Sequence, residues 1–423
     1  MGSKISRATA AMTLNSLKSG AVPRTGLEYI TVGRKSEIQA LLQDVSIIGK
    51  GGAALRFIEG KYGSGKTFLM HALRNHAMKK NFVVADVELS VDRRLVGNKG
   101  QGLATYRELV RNMATYACPD NGALQLILDN WIGRLENEVV QFEGLVPGYE
   151  VFDVRVSQKI YKITSSMEEQ VNGFDFGKVL ASYYKGHRIG DVELQKKALR
   201  WLCGEYRTRT EAKTDLGVNL IITDENWYDF IKLFADFLVK AGYAGFYVCM
   251  DELAALYEIP SRAGRDANYS KLLSIYNDVL QGKTSYMGMI FSVAKEAMED
   301  PVRGIFSYEP LKSRLEEISY GQDRISPVIK LSTLNPGEMY VLLEKLADIH
   351  GILYGYTPRL EHDDYINFLK QQYGKSLEGE QTTIRELIKN YITLLNLIQQ
   401  NQEMPKEKIF YIYKGCLNEV NYD

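Results

Sequence analysis

Cysteine is scarce in this chain. Its four cysteines, Cys118, Cys203, Cys249 and Cys416, lie far apart and form no CxxC pair. That spacing excludes a zinc ribbon and argues against a disulfide framework. Net charge is lacking too. The 52 basic and 52 acidic residues cancel, which excludes coating of nucleic acid through bulk charge and leaves room only for a local basic patch. No apolar run approaches the ~20 residues needed to span a bilayer. No signal-peptide pattern is visible, and the five histidines have no metal-ligand spacing. Collagen-like, coiled-coil and short-period repeat patterns are missing. What is present is ordinary for a globular protein: 45% hydrophobic and 25% charged residues, enough to exclude disorder as the main state. The length allows two or three packed units. The chain reads as a soluble protein of a reducing compartment, the cytoplasm, with no membrane partner. Met1-Gly2-Ser3-Lys4-Ile5-Ser6 fits an N-myristoylation pattern, but the pattern is too short to carry an argument.

Along the chain, Ala53–Ile58 is a short strand candidate, followed by Gly60-Lys61-Tyr62-Gly63-Ser64-Gly65-Lys66-Thr67. A helix with Leu69, Met70, Leu73 and Ala77 on one face comes next, and then a second strand at Phe82–Val87. Strand, loop, helix, strand is the grammar of an open parallel sheet. Residues 100–240 are helical in pattern and end in a helix from Trp227 to Lys240. Further strands are expected at Gly245–Met250, at Tyr286–Phe291 ending at Ser292, and at Val328–Leu331, with a loop from Ile259 to Ala267. After residue 334 the pattern is helical only. Asn335-Pro336-Gly337-Glu338 and Thr383 with Glu386 are capping boxes.

The eight residues from Gly60 to Thr67 match the Walker A pattern in full. Glycines let backbone N–H groups turn inward around a phosphate where a Cβ would clash. The helix that follows aims its positive end at the same anion. Lys66 places a point charge on the β- and γ-phosphates, and the Thr67 hydroxyl can ligate Mg²⁺. Asp251-Glu252 ends an apolar strand as a Walker B motif does. Asp251 would hold the metal through its water shell, and Glu252 would orient or deprotonate an attacking water. The pair of carboxylates argues for hydrolysis over nucleotide storage. Ser292, at the next strand end, could touch the γ-phosphate or the water. A GTPase reading lacks its Asn-Lys-x-Asp base-reading motif.

These residues carry a resemblance. Val32-Gly33-Arg34 resembles the nucleotide-base motif of AAA+ proteins, in particular origin-recognition-type initiator ATPases. Leu311-Lys312-Ser313-Arg314-Leu315 resembles the segment in which that group carries its arginine finger, and Arg385 resembles a sensor-2 arginine. A closer resemblance spans nearly the whole chain, to the BREX-associated ATP-binding proteins of the BrxD type found in bacterial phage-defence clusters. It rests on Ser19–Leu27, Gly60–Phe68, Ala198–Leu202, Asp251-Glu252-Leu253, Tyr276–Gly282 and Arg303–Leu315.

The resemblance implies an AAA+ P-loop αβα sandwich with a parallel sheet of order 5-1-4-3-2, a helical insertion at about 100–240 and a C-terminal helical lid. The expected divisions are an extension at 1–30, an ATPase core at 31–334 and a lid at 335–423. ATP and Mg²⁺ are the implied cofactors. Gly60, Tyr62, Gly63, Ser64, Gly65, Lys66, Thr67, Phe68, Gly33 and Arg34 are the nucleotide contacts; Thr67 and Asp251 are the metal contacts; Glu252, Lys66, Arg314, Ser292 and Arg385 are the catalytic groups. Arg314 would reach a neighbouring subunit's nucleotide, so a homo-oligomer is expected. The implied role is a motor or loader in anti-phage defence beside a helicase or methyltransferase, with DNA as a further partner. The alternative is a nucleotide-gated scaffold that hydrolyses slowly and recruits an effector.

A winged helix of the kind initiator ATPases use on DNA has no room after the last helices. Within the insertion, Lys196, Lys197, Arg200, Arg207, Arg209 and Lys213 interleave with Trp201 and Tyr206. This is either a phosphate-backbone strip with an aromatic base platform or a solvated helix face over core aromatics. Arg262 and Arg265 are a smaller candidate of the same kind.

Overall fold

A computed structural model describes residues 5–316, 326–376 and 383–419. The first four residues of the myristoylation pattern lie outside the described residues. The chain divides into two compact units. One comprises Met1–Ile38, Gly60–Ala72 and Lys330–Asp423; the other comprises Gln39–Glu59 and Leu73–Ile329.

The second unit is built on a sheet of five strands: β1 (Ala53–Gly60), β2 (Val83–Glu88), β3 (Phe246–Asp251), β4 (Met287–Ala294) and β5 (Val328–Lys330). Their order is β2-β3-β4-β1-β5, which read from the opposite edge is 5-1-4-3-2. β2 and β3 run parallel with Val83 opposite Phe246 and Glu88 opposite Asp251. β3 and β4 run parallel with Met250 opposite Phe291. The strands are apolar runs because a sheet covered on both faces has no solvent side on which to alternate; in β3 every residue before Asp251 is buried.

The insertion is helical throughout its regular elements, among them Leu124–Glu143, Gly173–Ile189, Val192–Leu202 and Trp227–Lys240. Its aromatics join the same apolar core as the sheet. Trp131 meets Phe237 edge-on at 5.1 Å, Phe176 meets Phe234 at 5.1 Å, and Trp201 meets Phe230 at 5.3 Å. Edge-to-face pairs of this kind add about 0.5–1.5 kcal/mol each beyond area burial.

Two expectations fail in this unit. The loop expected from Ile259 to Ala267 is mostly helix, since a helix runs from Arg262 to Leu280. The Ser261 hydroxyl caps it by accepting from Gly264 N, and Arg265 Nη1 donates back to the Ile259 and Pro260 carbonyls at 2.8 and 3.1 Å. Orphan groups at the helix start are thereby satisfied. The strand expected to stop at Ser292 continues to Ala294, so Ser292 lies inside β4 and is fully buried.

In the first unit, N-terminal and C-terminal helices share one core. Leu14 and Leu17 from the helix Arg7–Lys18 cluster with Leu343 and Leu346 from Pro336–Tyr354 and with Leu394 and Leu395 from Ile384–Gln400. Both capping boxes form: the Asn335 side chain with Glu338, and the Thr383 side chain with Glu386. The chain enters the short helix Leu27–Ile30 through Gly26 at φ 74°, where a Cβ would stand 2.4 Å from Thr13 Oγ1.

Candidate functional site

The phosphate-binding loop belongs to the first unit. β1 delivers the chain to Gly60, and a helix starts at Lys66 and runs to Lys79. Between them Gly63 and Gly65 take φ values of 77° and 94°. A side chain would be strained at either position, and a Cβ on Gly60 would stand 2.4 Å from Ser64 Oγ. Leu69, Met70, Leu73 and Ala77, the expected stripe of the helix, are all buried. The Lys66 ammonium is nearly buried and donates to the carbonyls of Gly60 and Lys61 at 3.0 and 3.2 Å. Its charge is therefore fixed within the loop. Thr67 follows on the first turn, and Phe68 packs half-buried against the apolar core of its unit.

Two further site residues, Arg34 and Arg385, gather on this loop in ways the sequence did not announce. Arg34 is 5% exposed. Its Nη2 donates to the carbonyl of Ser64 at 2.9 Å and to that of Ser332 at 2.8 Å. Glu37 lies 3.5 Å from its Nη1. Arg34 thus ties the loop to the segment just past β5. Gly33, at φ 66°, lies so close to Glu338 that a Cβ would stand 2.5 Å from the carboxylate. Arg385, in the first turn of the helix Ile384–Gln400, donates from Nη1 to the Tyr62 hydroxyl at 2.7 Å, with its guanidinium carbon 5.3 Å from the Tyr62 ring centroid. Sequence reasoning named both residues of this pair and missed that they meet. It also missed Ser332, which carries no motif of its own, and read Glu338 only as part of a capping box.

The acidic cluster belongs to the second unit. Asp251 is the last residue of β3, and Glu252 follows at φ 56°, a left-handed conformation uncommon for a glutamate. That turn is held by its own N–H, which donates to Asp251 Oδ1 at 3.0 Å and to Ser292 Oγ at 3.2 Å. The Ser292 hydroxyl in turn donates to Asp251 Oδ1. Three of the expected site residues therefore form one hydrogen-bonded cluster, in which the serine fixes the aspartate. The Leu253 N–H donates to the Ser292 carbonyl at 2.9 Å and so continues the β3–β4 pairing past the strand end.

Arg314 makes no hydrogen bond or ion pair to that cluster among the described residues. It is exposed at the end of the helix Glu309–Leu315, and its Nη1 donates to the Pro310 carbonyl at 2.7 Å. Glu316, two residues on, lies by Lys312 at 3.8 Å.

Chemically, the first group offers a glycine-lined anion cradle with a fixed ammonium and a hydroxyl. The second offers two carboxylates and a serine. The cradle is the donor type a polyphosphate takes, and the carboxylates are the donor type a hard cation takes. No group of three His, Cys, Asp or Glu side chains forms a metal site among the described residues.

Residues 5–413 match the model of the BREX system ATP-binding proteins BrxC/D. The chain belongs to that family. No curated protein matches it. The family is one of ATP-binding proteins.

The nucleic-acid candidates fare differently. Trp201 is 1% exposed and donates to the Leu220 carbonyl, and Tyr206 is 2% exposed and donates to Asp215. Neither ring is open to a base. Lys197 pairs with Asp215 at 2.8 Å and Arg200 with Glu211 at 2.6 Å, the latter also lying over the Tyr206 ring. The Lys197 ammonium accordingly has its pKa raised, first by the hydrogen bond to Asp215. The aromatic platform is thus excluded: both rings are core residues beneath the helix face. Arg265 is buried and caps a helix, so it is no surface contact. No described helix is long and apolar enough to cross a membrane.

Proposed function

We propose that this chain is a Mg²⁺-dependent ATP hydrolase of AAA+ architecture that acts as a motor or loader in BREX anti-phage defence. The observation that carries the reading is the loop from Gly60 to Thr67, with left-handed glycines at 63 and 65 and the ammonium of Lys66 fixed at its base. ATP binds there, with Thr67 and Asp251 as the protein's metal contacts. Glu252 activates water, and Ser292 steadies Asp251. Arg385 acts from the C-terminal helices, the lid of this reading, at residues 335–423. Exposed Arg314 completes the site of a neighbouring copy in a homo-oligomer, where its charge would offset that of the transferring phosphoryl oxygens. The core at 31–334 carries the insertion, a surface for a helicase or methyltransferase partner in the cytoplasm. DNA would be engaged through that partner.

The experiment is Lys66→Ala. ATP binding by displacement of a fluorescent analogue and phosphate release are measured with Mg²⁺ and with chelator. The reading expects loss of both signals in the variant and loss of phosphate release under chelator. Native affinity and turnover in Lys66→Ala would end it.

A further inference from the structure

The contact between Tyr62 and Arg385 joins the phosphate-binding loop to a helix that starts more than three hundred residues later in the chain. Arg385 stands in an electrostatically poor place. It lies in the first turn of its helix, where the backbone dipole is positive and repels a cation. The adjacent carboxylate does not neutralise it: Glu386 Oε2 accepts from the Thr383 N–H at 2.7 Å and from the Thr383 hydroxyl at 2.9 Å in the capping box. Among the described residues Arg385 has no ion-pair partner. Its stem runs past Gly20, at φ 79°, where a Cβ would lie 3.5 Å from Arg385 Cδ. The guanidinium comes to rest on a neutral ring that is itself 67% exposed at the loop.

We propose that Tyr62 is a positioning residue that parks Arg385 over the phosphate-binding loop, so that the guanidinium is already ordered when a triphosphate arrives. This rests on the reading of the loop as an ATP site. The physics favours such a role for an aromatic ring over a carboxylate. A free arginine side chain has many rotamers to lose on ordering. A ring under the guanidinium removes part of that freedom through a weak attraction at an exposed site. A carboxylate would hold the cation more tightly and compete with the phosphate for it. The ring does the parking, and the phenol hydrogen bond gives way when the guanidinium turns to the anion.

The test is a double-mutant cycle with Tyr62→Ala, Tyr62→Phe, Arg385→Ala and the Tyr62→Ala/Arg385→Ala pair. ATP affinity, ADP affinity and kcat/KM are read for each. The exposed ring leaves no core cavity when truncated, and thermal melting of each variant checks the fold. Tyr62→Ala is expected to weaken ATP binding and kcat/KM about three- to tenfold, the range a lost cation–π contact and its ordering supply. ADP affinity moves less, Tyr62→Phe loses less than Tyr62→Ala because the ring remains, and the Tyr62→Ala loss disappears in the Arg385→Ala background. An equal loss in both backgrounds, or Tyr62→Phe as impaired as Tyr62→Ala, overturns the proposal. Lys66→Ala separates the two levels: if it abolishes binding while the cycle is additive, only the parking role falls, and if it leaves binding intact the ATP site itself falls.

Discussion

The Arg34 guanidinium donates to the carbonyl of Ser64, inside the phosphate-binding loop, at 2.9 Å. The same nitrogen reaches the carbonyl of Ser332, just past β5, at 2.8 Å. A buried cation between two carbonyls makes the loop's position depend on where that later segment lies. Movement of the C-terminal helices that follow Ser332 can therefore be transmitted to the loop through one side chain.

Arg34→Lys keeps the charge and loses the fork. A lysine presents a single ammonium, which does not reproduce a planar guanidinium that holds two carbonyls with Nη2 and faces Glu37 with Nη1. Hydrogen bonds to charged groups contribute about 1.5–3 kcal/mol each. Arg34→Lys and Arg34→Ala should both lower the melting temperature and weaken ATP affinity about tenfold, a loss of roughly 1.4 kcal/mol. Differential scanning calorimetry and nucleotide titration check this. Native affinity in Arg34→Lys would show that the loop does not need the clasp.

Glu252→Gln keeps the shape of the turn after β3 and removes the base. Its backbone N–H still donates to Asp251 and Ser292, so ATP binding should persist. Turnover should fall about 10²–10⁴-fold, the usual contribution of a positioned general base. Phage-defence assays then separate motor from scaffold. A motor loses protection with turnover, whereas a nucleotide-gated scaffold is locked in one state and can still protect.

Arg314 predicts complementation between defective copies. Alone, Arg314→Ala should bind ATP normally and hydrolyse it about 10³–10⁵-fold more slowly, the range reported for arginine fingers. Mixed with Glu252→Gln, it should regain activity, because the second variant lends its intact Arg314 to a subunit whose Glu252 is intact. Specific activity of the native protein should rise with concentration. A mixture as inactive as its parts places Arg314 outside any shared site.

Local features were legible in the sequence, and distant ones were not. The Walker A loop lies within eight consecutive residues, and both capping boxes span four, so each could be read without knowing the fold. The strands were readable as apolar runs because both sheet faces are covered. Arg34 shows the limit: the motif around it is short, but its acceptors Ser64 and Ser332 come together only on folding. Trp201 shows another. Its cationic neighbours left both an exposed strip and a core aromatic open, and the edge-on contact with Phe230 that decides its burial comes from a different helix. The start of the helix at Arg262 was missed because Gly264 and its charged neighbours hide the first turn. The Ser261 cap was the available signal.

His350 gives the chain a specific weakness to acid. It lies 1% exposed in the core of the C-terminal helices. Its Nε2 stands 3.0 Å from Asn396 Oδ1 and its Nδ1 3.0 Å from the Tyr356 hydroxyl. The amide oxygen only accepts, so Nε2 carries the proton and Nδ1 accepts from the tyrosine. Burial lowers the pKa of this imidazole below its ordinary 6.5, against a smaller opposing effect of the Asn396 hydrogen bond. The folded protein therefore resists protonation at a pH where the unfolded chain accepts it. Stability tracks the difference in bound protons. It should be unaffected by this group well above pH 6.5 and should decline as the pH falls through 6.5 toward the lower folded value. Urea midpoints at pH 7.5 and 5.5, for the native protein and for His350→Gln, check the sign. The variant should start lower, because it disturbs a buried pair of hydrogen bonds, yet lose less on acidification. An equal acid-induced loss in both proteins would place the sensitivity in other groups.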